Sequence, residues 1–134
     1  MTGVSQRRVV VGAAMLRDGR VLAARRTSPA AAAGRWEFPG GKVEGVETPA
    51  GALVREVREE LGCEVEVVRW LDGKVPVGEH HELRVALARL IAGEPVPTEH
   101  DRVRWLGPDE LDAVDWLEPD RPFLAELRDE MVGA

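Results

Sequence analysis

The segment from Thr48 to Gly62 constrains the fold more than any other part of the 134-residue sequence. Thr48 and Pro49 are typical of a helix start, because a hydroxyl cap is followed by a proline at the first helical position. Gly62 is typical of the left-handed residue just after a helix, so a helix is predicted to run to about Leu61. The residues of its apolar face, which can pack on a sheet, are Leu53, Val57 and Leu61.

Short apolar segments predict strands on both sides of this helix. Asp18 and Gly19 form the two-residue turn expected between the strands of a hairpin. The predicted strands are 9–16, 21–24, 65–68, 83–91 and 103–106, with a short extended piece at 36–38. Helical apolar spacing predicts further helices over 108–114 and 122–131. Strands mixed with two or three helices favour one α/β domain over residues 1–134, with helices covering a mixed sheet.

Composition narrows the class of protein. The sequence is 44% hydrophobic and 31% charged, which is typical of a compact soluble domain. No apolar run approaches the ~20 residues of a membrane span, and residues 1–6 lack the apolar stretch of a secretory signal. The single cysteine, Cys63, fits a reducing cytoplasm, so a cytoplasmic location without a membrane partner is expected.

The net charge of −6 bears on the partners of the chain. An acidic surface repels a phosphate backbone, so binding to a nucleic-acid polymer is not expected. Binding of a small anionic substrate is compatible with this charge if a bound cation makes the electrostatic potential of the site positive. The sequence leaves open whether the chain is a monomer or a homodimer.

The predicted helix also has an acidic face. Glu56, Glu59 and Glu60 stand at positions i, i+3 and i+4, so their side chains lie on one side of the helix. Like charges at these spacings destabilise a helix by roughly 0.2–0.5 kcal/mol per pair, and a cation would remove that cost. Mg²⁺ prefers such carboxylate oxygens. The alternatives are a solvated face, or ion pairs with Arg55 and Arg58.

Just before the helix, Gly40 and Gly41 would allow the backbone to approach a ligand closely. Together with the helix, this segment resembles the signature of the Nudix hydrolases. The one mild departure is Cys63 at the last aliphatic position, where it can serve as a small buried hydrophobe. The other matching residues are Gly41, Glu47, Arg55, Glu56, Val57, Glu59, Glu60 and Gly62. Residues 36–40 are similar to the approach to this signature in MutT-type members, and the similarity covers nearly the whole chain.

The resemblance implies an α/β/α sandwich around a mixed sheet. It also implies hydrolysis of a nucleoside diphosphate linked to another group, with Mg²⁺ or Mn²⁺, by attack of water on phosphorus. By resemblance, the metal ions are held by the carbonyl of Gly40 and the carboxylates of Glu56, Glu59 and Glu60.

Further polar residues acquire expected roles from the same resemblance. Glu47 and Arg55 would orient the metal-binding carboxylates, with an ordinary ion pair as the alternative. An additional carboxylate on a later loop, acting as a metal ligand or general base, matches Glu99. Asp101 is its competitor, and a solvated loop acid is the other alternative. Three histidines are predicted in loops without metal-ligand spacing and are expected to be exposed, namely His80, His81 and His100.

A second set of residues is expected to bind substrate. Arg26 matches an arginine that contacts the nucleotide in MutT-type members, and Phe38 either lines a base pocket or belongs to the core. Asp120 stands where those members have an asparagine that reads the purine; the alternative is a helix cap before Pro122. A carboxylate only accepts hydrogen bonds, so Asp120 favours the exocyclic amino group of cytosine, without excluding 8-oxo-dGTP. The full set is Arg26, Glu37, Phe38, Pro39, Gly40 and Asp120.

We therefore expect a Mg²⁺-dependent enzyme that converts a nucleoside triphosphate to a nucleoside monophosphate and pyrophosphate. CTP, dCTP and 5-methylcytosine nucleotides are the expected substrates. The alternatives are an 8-oxo-dGTP pyrophosphohydrolase, an ADP-ribose pyrophosphatase and a nucleotide-binding regulator without catalytic activity.

Overall fold

The computed structural model describes residues 7–133, so the expectation about residues 1–6 lies outside the described range. No helix within the described range is long and apolar enough to cross a membrane. The α-helices are α1 (Pro49–Leu61) and α2 (Leu124–Gly133), and two 3₁₀ helices span Pro108–Ala113 and Glu118–Phe123. The strands are β1 (Arg8–Arg17), β2 (Arg20–Arg26), β3 (Trp36–Glu37), β4 (Gly40–Lys42), β5 (Glu64–Trp70), β6 (Val75–Val77), β7 (His81–Ala92) and β8 (His100–Leu106).

These strands form one mixed sheet. β1 lies at its centre, parallel to β7 and antiparallel to β2 and β4. β7 also pairs with β5 and β6, and β2 pairs with β3 on one side and β8 on the other. The mixed α/β sheet expected from the sequence is therefore confirmed.

A separate apolar core lies on each face of the sheet, because successive side chains of a strand point to opposite faces. On one face, Val11, Ala13 and Met15 of β1 pack in the same cluster as the apolar face of α1. On the other face, Ala14 belongs to a cluster with Trp116, in which the 3₁₀ helices and α2 take part. The result is the expected sandwich of helix, sheet and helix.

Helix α1 begins and ends where the sequence predicts. Thr48 Oγ1 accepts a hydrogen bond from Gly51 N at 3.0 Å, which satisfies one free N–H of the first turn. Gly62 has φ 68° and closes the helix, with its N–H donating to Arg58 O. The Arg58 guanidinium binds Glu64 at the start of β5, so Arg55 is the arginine that contacts the acidic face.

The last third of the chain departs from the prediction. The helices predicted over 108–114 and 122–131 are a 3₁₀ helix at Pro108–Ala113 and an α-helix that begins only at Leu124. Two turns of 3₁₀ helix have nearly the same apolar spacing as an α-helix, so the pattern does not separate them. Pro122, the predicted first residue of the last helix, lies inside the preceding 3₁₀ helix, and α2 begins two residues after it.

Candidate active site

The acidic face of α1 lies against the two glycines of β4. Gly40 N donates a hydrogen bond to Glu60 Oε1 at 3.0 Å. A Cβ atom built on Gly41 would stand 2.2 Å from Glu56 Oε2, and one built on Gly40 would stand 1.9 Å from the carbonyl oxygen of Val11. Both positions therefore require glycine, because β4 passes between β1 and the glutamates with no space for a side chain.

Arg55 connects the acidic face to the loop before α1. Its Nε and Nη2 donate to the Glu47 carboxylate at 2.6 and 2.9 Å, while its Nη1 donates to Glu56 at 2.8 Å and to Glu59 at 3.0 Å. These bonds from Arg55, together with one from the Glu44 backbone N–H, lower the pKa of Glu47 to about 2. Arg55 and Glu47 thus form an ion pair, and the same guanidinium also holds two glutamates of the acidic face.

Glu60 is the most buried glutamate of this face, with 6% of its surface exposed. Burial is the main reason why its pKa is raised to about 8, and the negative charges of Glu37, Glu56 and Glu99 add to the effect. The pKa of Glu56 is raised as well, first by burial. Carboxylates gathered in this way repel one another, and a divalent cation would neutralise them.

The residues at this site fit a divalent metal ion, although their carboxylates do not already converge on one point. Within the described part of the chain, no three His, Cys, Asp or Glu side chains stand close enough together to hold a metal. Glu56 and Glu59 share Arg55, and Glu60 accepts from Gly40 N. The potential ligands are oxygen atoms, which Mg²⁺ and Mn²⁺ prefer.

The loop that carries Glu99 is attached to the C-terminal end of α1. Thr98 donates to Glu60 O from its backbone N at 3.0 Å and from its Oγ1 at 2.9 Å. Val96 N donates to Leu61 O at 2.9 Å. The last carbonyls of a helix have no partner within the helix, so they are free to anchor this loop. The anchors place Glu99 beside the turn that bears Glu60.

The structure distinguishes Glu99 from its competitor. Asp101 forms a two-bond ion pair with Arg25, at 2.8 and 3.0 Å. Glu99 instead lines a pocket of about 150 Å³ together with Glu60, which we call the acid pocket. The complete lining of the acid pocket is Arg26, Thr27, Ser28, Glu37, Glu60, Glu99 and His100.

A second, wider pocket of about 290 Å³ adjoins the acid pocket, and we call it the apolar pocket. Arg26 and Glu37 line both pockets and so form the partition between them. Five of the six residues predicted to bind substrate lie along the apolar pocket, and Pro39 is the one that does not. These five are Arg26, Glu37, Phe38, Gly40 and Asp120. Its apolar walls are Val10, Val11, Val77, Leu83, Leu117 and Pro119.

Asp120 is a buried acid at the edge of the apolar pocket. Its Oδ2 accepts a hydrogen bond from Phe38 N at 2.8 Å. Burial raises the pKa of Asp120 to about 8, against a smaller lowering by that hydrogen bond. The helix-cap alternative is wrong, because this bond reaches Phe38, the residue after β3, rather than the start of a helix. Phe38 itself is 3% exposed, and its ring lies 4.8 Å from that of Trp116, so it belongs to the core as well as to the pocket wall.

His100 is a site residue that the sequence analysis missed. The expectation of an exposed loop histidine is wrong, because His100 is the first residue of β8 and its side chain is only 3% exposed. Its Nε2 lies 2.8 Å from Glu37 Oε2, and Glu37 also binds Arg26 Nη1. The one local signal was its position directly after Glu99; its burial follows from pairing with the distant strand β2.

Comparison with known proteins identifies the family. The NUDIX domain model matches residues 6–127 of the chain. This chain is a Nudix hydrolase. A Mycobacterium tuberculosis protein named "Putative 8-oxo-dGTP diphosphatase 2" is 38% identical over 129 residues, covering 94% of this chain and 92% of that protein. The "CTP pyrophosphohydrolase" of Escherichia coli is 37% identical over 122 residues, covering 86% and 87%. The crystal structure of a MutT NUDIX hydrolase from Burkholderia pseudomallei has a TM-score of 0.76 at 34% identity, covering 91% and 98%.

As a Nudix hydrolase, the chain is an enzyme that acts on nucleotide anhydrides, and its substrates are nucleotides. The alternative of a regulator without catalytic activity is therefore not supported. Nudix hydrolases generally need divalent metal ions, usually Mg²⁺. This requirement agrees with the repulsion among the unneutralised acids that face the acid pocket.

Proposed function

We propose that this Nudix hydrolase cleaves cytidine-type nucleoside triphosphates, namely CTP, dCTP and 5-methylcytosine nucleotides, to a nucleoside monophosphate and pyrophosphate. The observation that carries the proposal is the pair of adjoining pockets. One has apolar walls and ends at Asp120, and the other is lined by the acids Glu60 and Glu99. The two pockets match the two ends of a nucleotide, which has a flat base at one end and a charged phosphate chain at the other.

The acid pocket fits the phosphate chain only with divalent cations present. Mg²⁺, with Mn²⁺ as the second choice, would neutralise the phosphate oxygens and activate a water molecule when bound at the acidic face of α1, which shares Glu60 with the acid pocket. Its proposed ligands are Gly40 O, Glu56, Glu59, Glu60 and Glu99. Arg26 supplies positive charge at the partition, and Glu99 can accept the proton of the water that attacks phosphorus. Glu47 and Arg55 keep the glutamates of α1 in place.

The apolar pocket fits the base, and Asp120 supplies its specific contact. Phe38 N takes one lone pair of Asp120 Oδ2, so the second lone pair of Oδ2 and the whole of Oδ1 remain for a ligand. With a pKa of about 8, Asp120 is largely protonated at neutral pH, so it offers a donor as well as an acceptor and is not the acceptor-only carboxylate expected from the sequence. The amino group at C4 and the adjacent N3 of cytosine match these two functions. The similarity to the E. coli CTP pyrophosphohydrolase supports this choice.

An 8-oxo-dGTP pyrophosphohydrolase is the second candidate. The similarity to the M. tuberculosis protein favours it, and this similarity extends over 94% of the chain. A protonated Asp120 also complements the O6 acceptor and the N1–H donor of an oxidised guanine. The charge state of Asp120 therefore decides how strongly this residue discriminates between cytosine and 8-oxoguanine.

A nucleotide panel tests the proposal. Release of nucleoside monophosphate with Mg²⁺ is measured for CTP, dCTP, 5-methyl-dCTP, 8-oxo-dGTP and ADP-ribose. We expect the highest kcat/KM for a cytidine nucleotide, and preference for a purine would contradict the proposal. Asp120→Leu should lower kcat/KM for the cytidine nucleotide by about 10- to 100-fold, because buried polar groups of the base lose their partner. Asp120→Asn, which keeps a donor and an acceptor, is the matched control and should retain more activity at pH 7.

A further inference from the structure

We propose that His100 is a positioning residue that fixes Glu37 and, through it, the guanidinium of Arg26 at the partition between the two pockets. The inference rests on the proposed function in one respect, which is that Arg26 contacts the bound nucleotide. Nothing in the family signature includes His100, and its role follows from contacts across the sheet.

The first step is the bond between His100 and Glu37. The Nε2···Oε2 distance is 2.8 Å, and both side chains are largely buried, with 3% and 14% exposed. Because a carboxylate only accepts hydrogen bonds, Nε2 is the donor. His100 Nδ1 is buried and has no hydrogen-bond partner among residues 7–133, so the bond to Glu37 is what orients the ring.

This bond crosses a strand. Ala24 of β2 pairs with Glu37 of β3 on one side and with Val103 of β8 on the other. The His100–Glu37 contact therefore joins two strands that are not neighbours and passes over β2, where Arg26 is the direct partner of His100 in the register. The three side chains thus meet on one face at the end of β2.

The second step is the bond between Glu37 and Arg26. Arg26 Nη1 lies 3.1 and 3.2 Å from the two oxygens of Glu37, and Arg26 Nε donates to Ser28 O at 2.8 Å. Nη2 of Arg26 has no hydrogen-bond partner among residues 7–133, and the residue lines both pockets. The guanidinium is thus held on one side and has a donor left for a ligand.

Removal of the His100 donor should change the orientation of this guanidinium. Glu37 Oε2 would lose a buried partner, and a buried carboxylate without one is costly. The carboxylate would turn to form a two-bond pair with Arg26, which is the preferred geometry of a free carboxylate with arginine. Nη2 would then bind Glu37 rather than the nucleotide.

The test compares His100→Met with His100→Gln, two unbranched side chains of similar length of which only glutamine carries an N–H donor. The probe is the non-hydrolysable α,β-methylene analogue of the triphosphate that the wild type cleaves fastest, with its Kd measured by calorimetry in the presence of Mg²⁺. We expect His100→Met to raise Kd and KM by about 5- to 20-fold while kcat changes less than about twofold. His100→Gln should recover most of the loss. If His100→Met does not fold, His100→Asn replaces it, because its shorter amide does not reach Glu37.

A double-mutant cycle separates positioning from packing. In a Glu37→Ala background, the exchange of His100 for methionine should change Kd less than about twofold. Equal effects of His100→Met with and without Glu37, or a His100→Gln variant as impaired as His100→Met, would overturn the proposal. Arg26→Ala tests the underlying contact. If Kd is unchanged in Arg26→Ala, both the nucleotide contact and this inference are contradicted. If Kd is raised in Arg26→Ala but the effects of His100→Met and Glu37→Ala are additive, only this inference is contradicted.

Discussion

Asp120 shows how burial changes the chemistry of a single residue. Its carboxyl group has one hydrogen bond, from Phe38 N, and is otherwise removed from water, because only 5% of the residue is exposed. Removal from water disfavours the charged form, so the acid titrates near neutral pH rather than near its ordinary value of 3.8. An acid that exchanges its proton near pH 8 can adapt to the hydrogen-bonding pattern of a base.

The first prediction concerns stability and pH. Between pH 4 and 8 the folded state keeps a proton on Asp120 that the unfolded state releases, so this residue lowers the stability of the wild type as pH rises. Asp120→Asn keeps an acceptor for Phe38 N but does not titrate. Urea unfolding from pH 5 to 9 should therefore show the variant gaining in stability over the wild type up to about pH 8, with no further gain above it. A constant difference across this range would show that Asp120 is not protonated in the fold. Asp109→Asn, at an exposed position, is the matched control for the exchange of an acid for an amide.

At the scale of elements, prediction from the sequence works where the signals are local. Helix α1 was predictable to the residue because both of its ends are encoded by neighbours, Thr48 and Gly62. β4 was not, because Gly40 and Gly41 are weak strand formers that pair only through their contact with distant β1. β6 contains Pro76, which pattern reading excludes from a strand and which is tolerated at the sheet edge, where β6 pairs with β7.

In the candidate site, too, the features set by neighbouring residues were predictable and those set by distant residues were not. Helical spacing alone brings Glu56, Glu59 and Glu60 to one face, and the family resemblance added Glu99. The buried partner of Glu37, His100, could not be foreseen, because the two residues are 63 positions apart and meet across a third strand. The spacing of residues along the sequence shows which side of a helix or strand a side chain lies on. Whether that side chain is buried depends on the assembled sheet.

The second prediction tests the local encoding of α1. Thr48→Ala removes the side-chain acceptor for Gly51 N and should cost about 1 kcal/mol of unfolding free energy, which lowers Tm by about 3–6 °C. Thr48→Ser keeps the hydroxyl group and should stay close to the wild type. Thermal unfolding monitored by circular dichroism measures both variants. Equal Tm values for Thr48→Ala and the wild type would show that the cap does not stabilise the helix.

At the scale of the whole molecule, the sheet brings together segments that are far apart in the chain. β2 and β3 supply the partition between the pockets, α1 and the loop before β8 supply the acids, and the 3₁₀ helix Glu118–Phe123 supplies Asp120. The chain has a net charge of −6, and several of its acids face one small pocket without enough arginines to neutralise them. A fold that tolerates this repulsion is expected to gain stability when divalent cations are added.

The proposed role of the acidic face of α1 is to hold the metal ions that the reaction needs. To test this role, nucleoside monophosphate release with Mg²⁺ is measured for the wild type, Glu59→Gln and Glu60→Gln, each with its Tm in the presence and absence of Mg²⁺. Glu79→Gln, whose side chain is 92% exposed, is the control. We expect both α1 variants to fold but to lose more than about a hundredfold in kcat, and Mg²⁺ to raise their Tm less than that of the wild type. Near-normal turnover in either variant with Mg²⁺ would show that this face does not hold the metal ions.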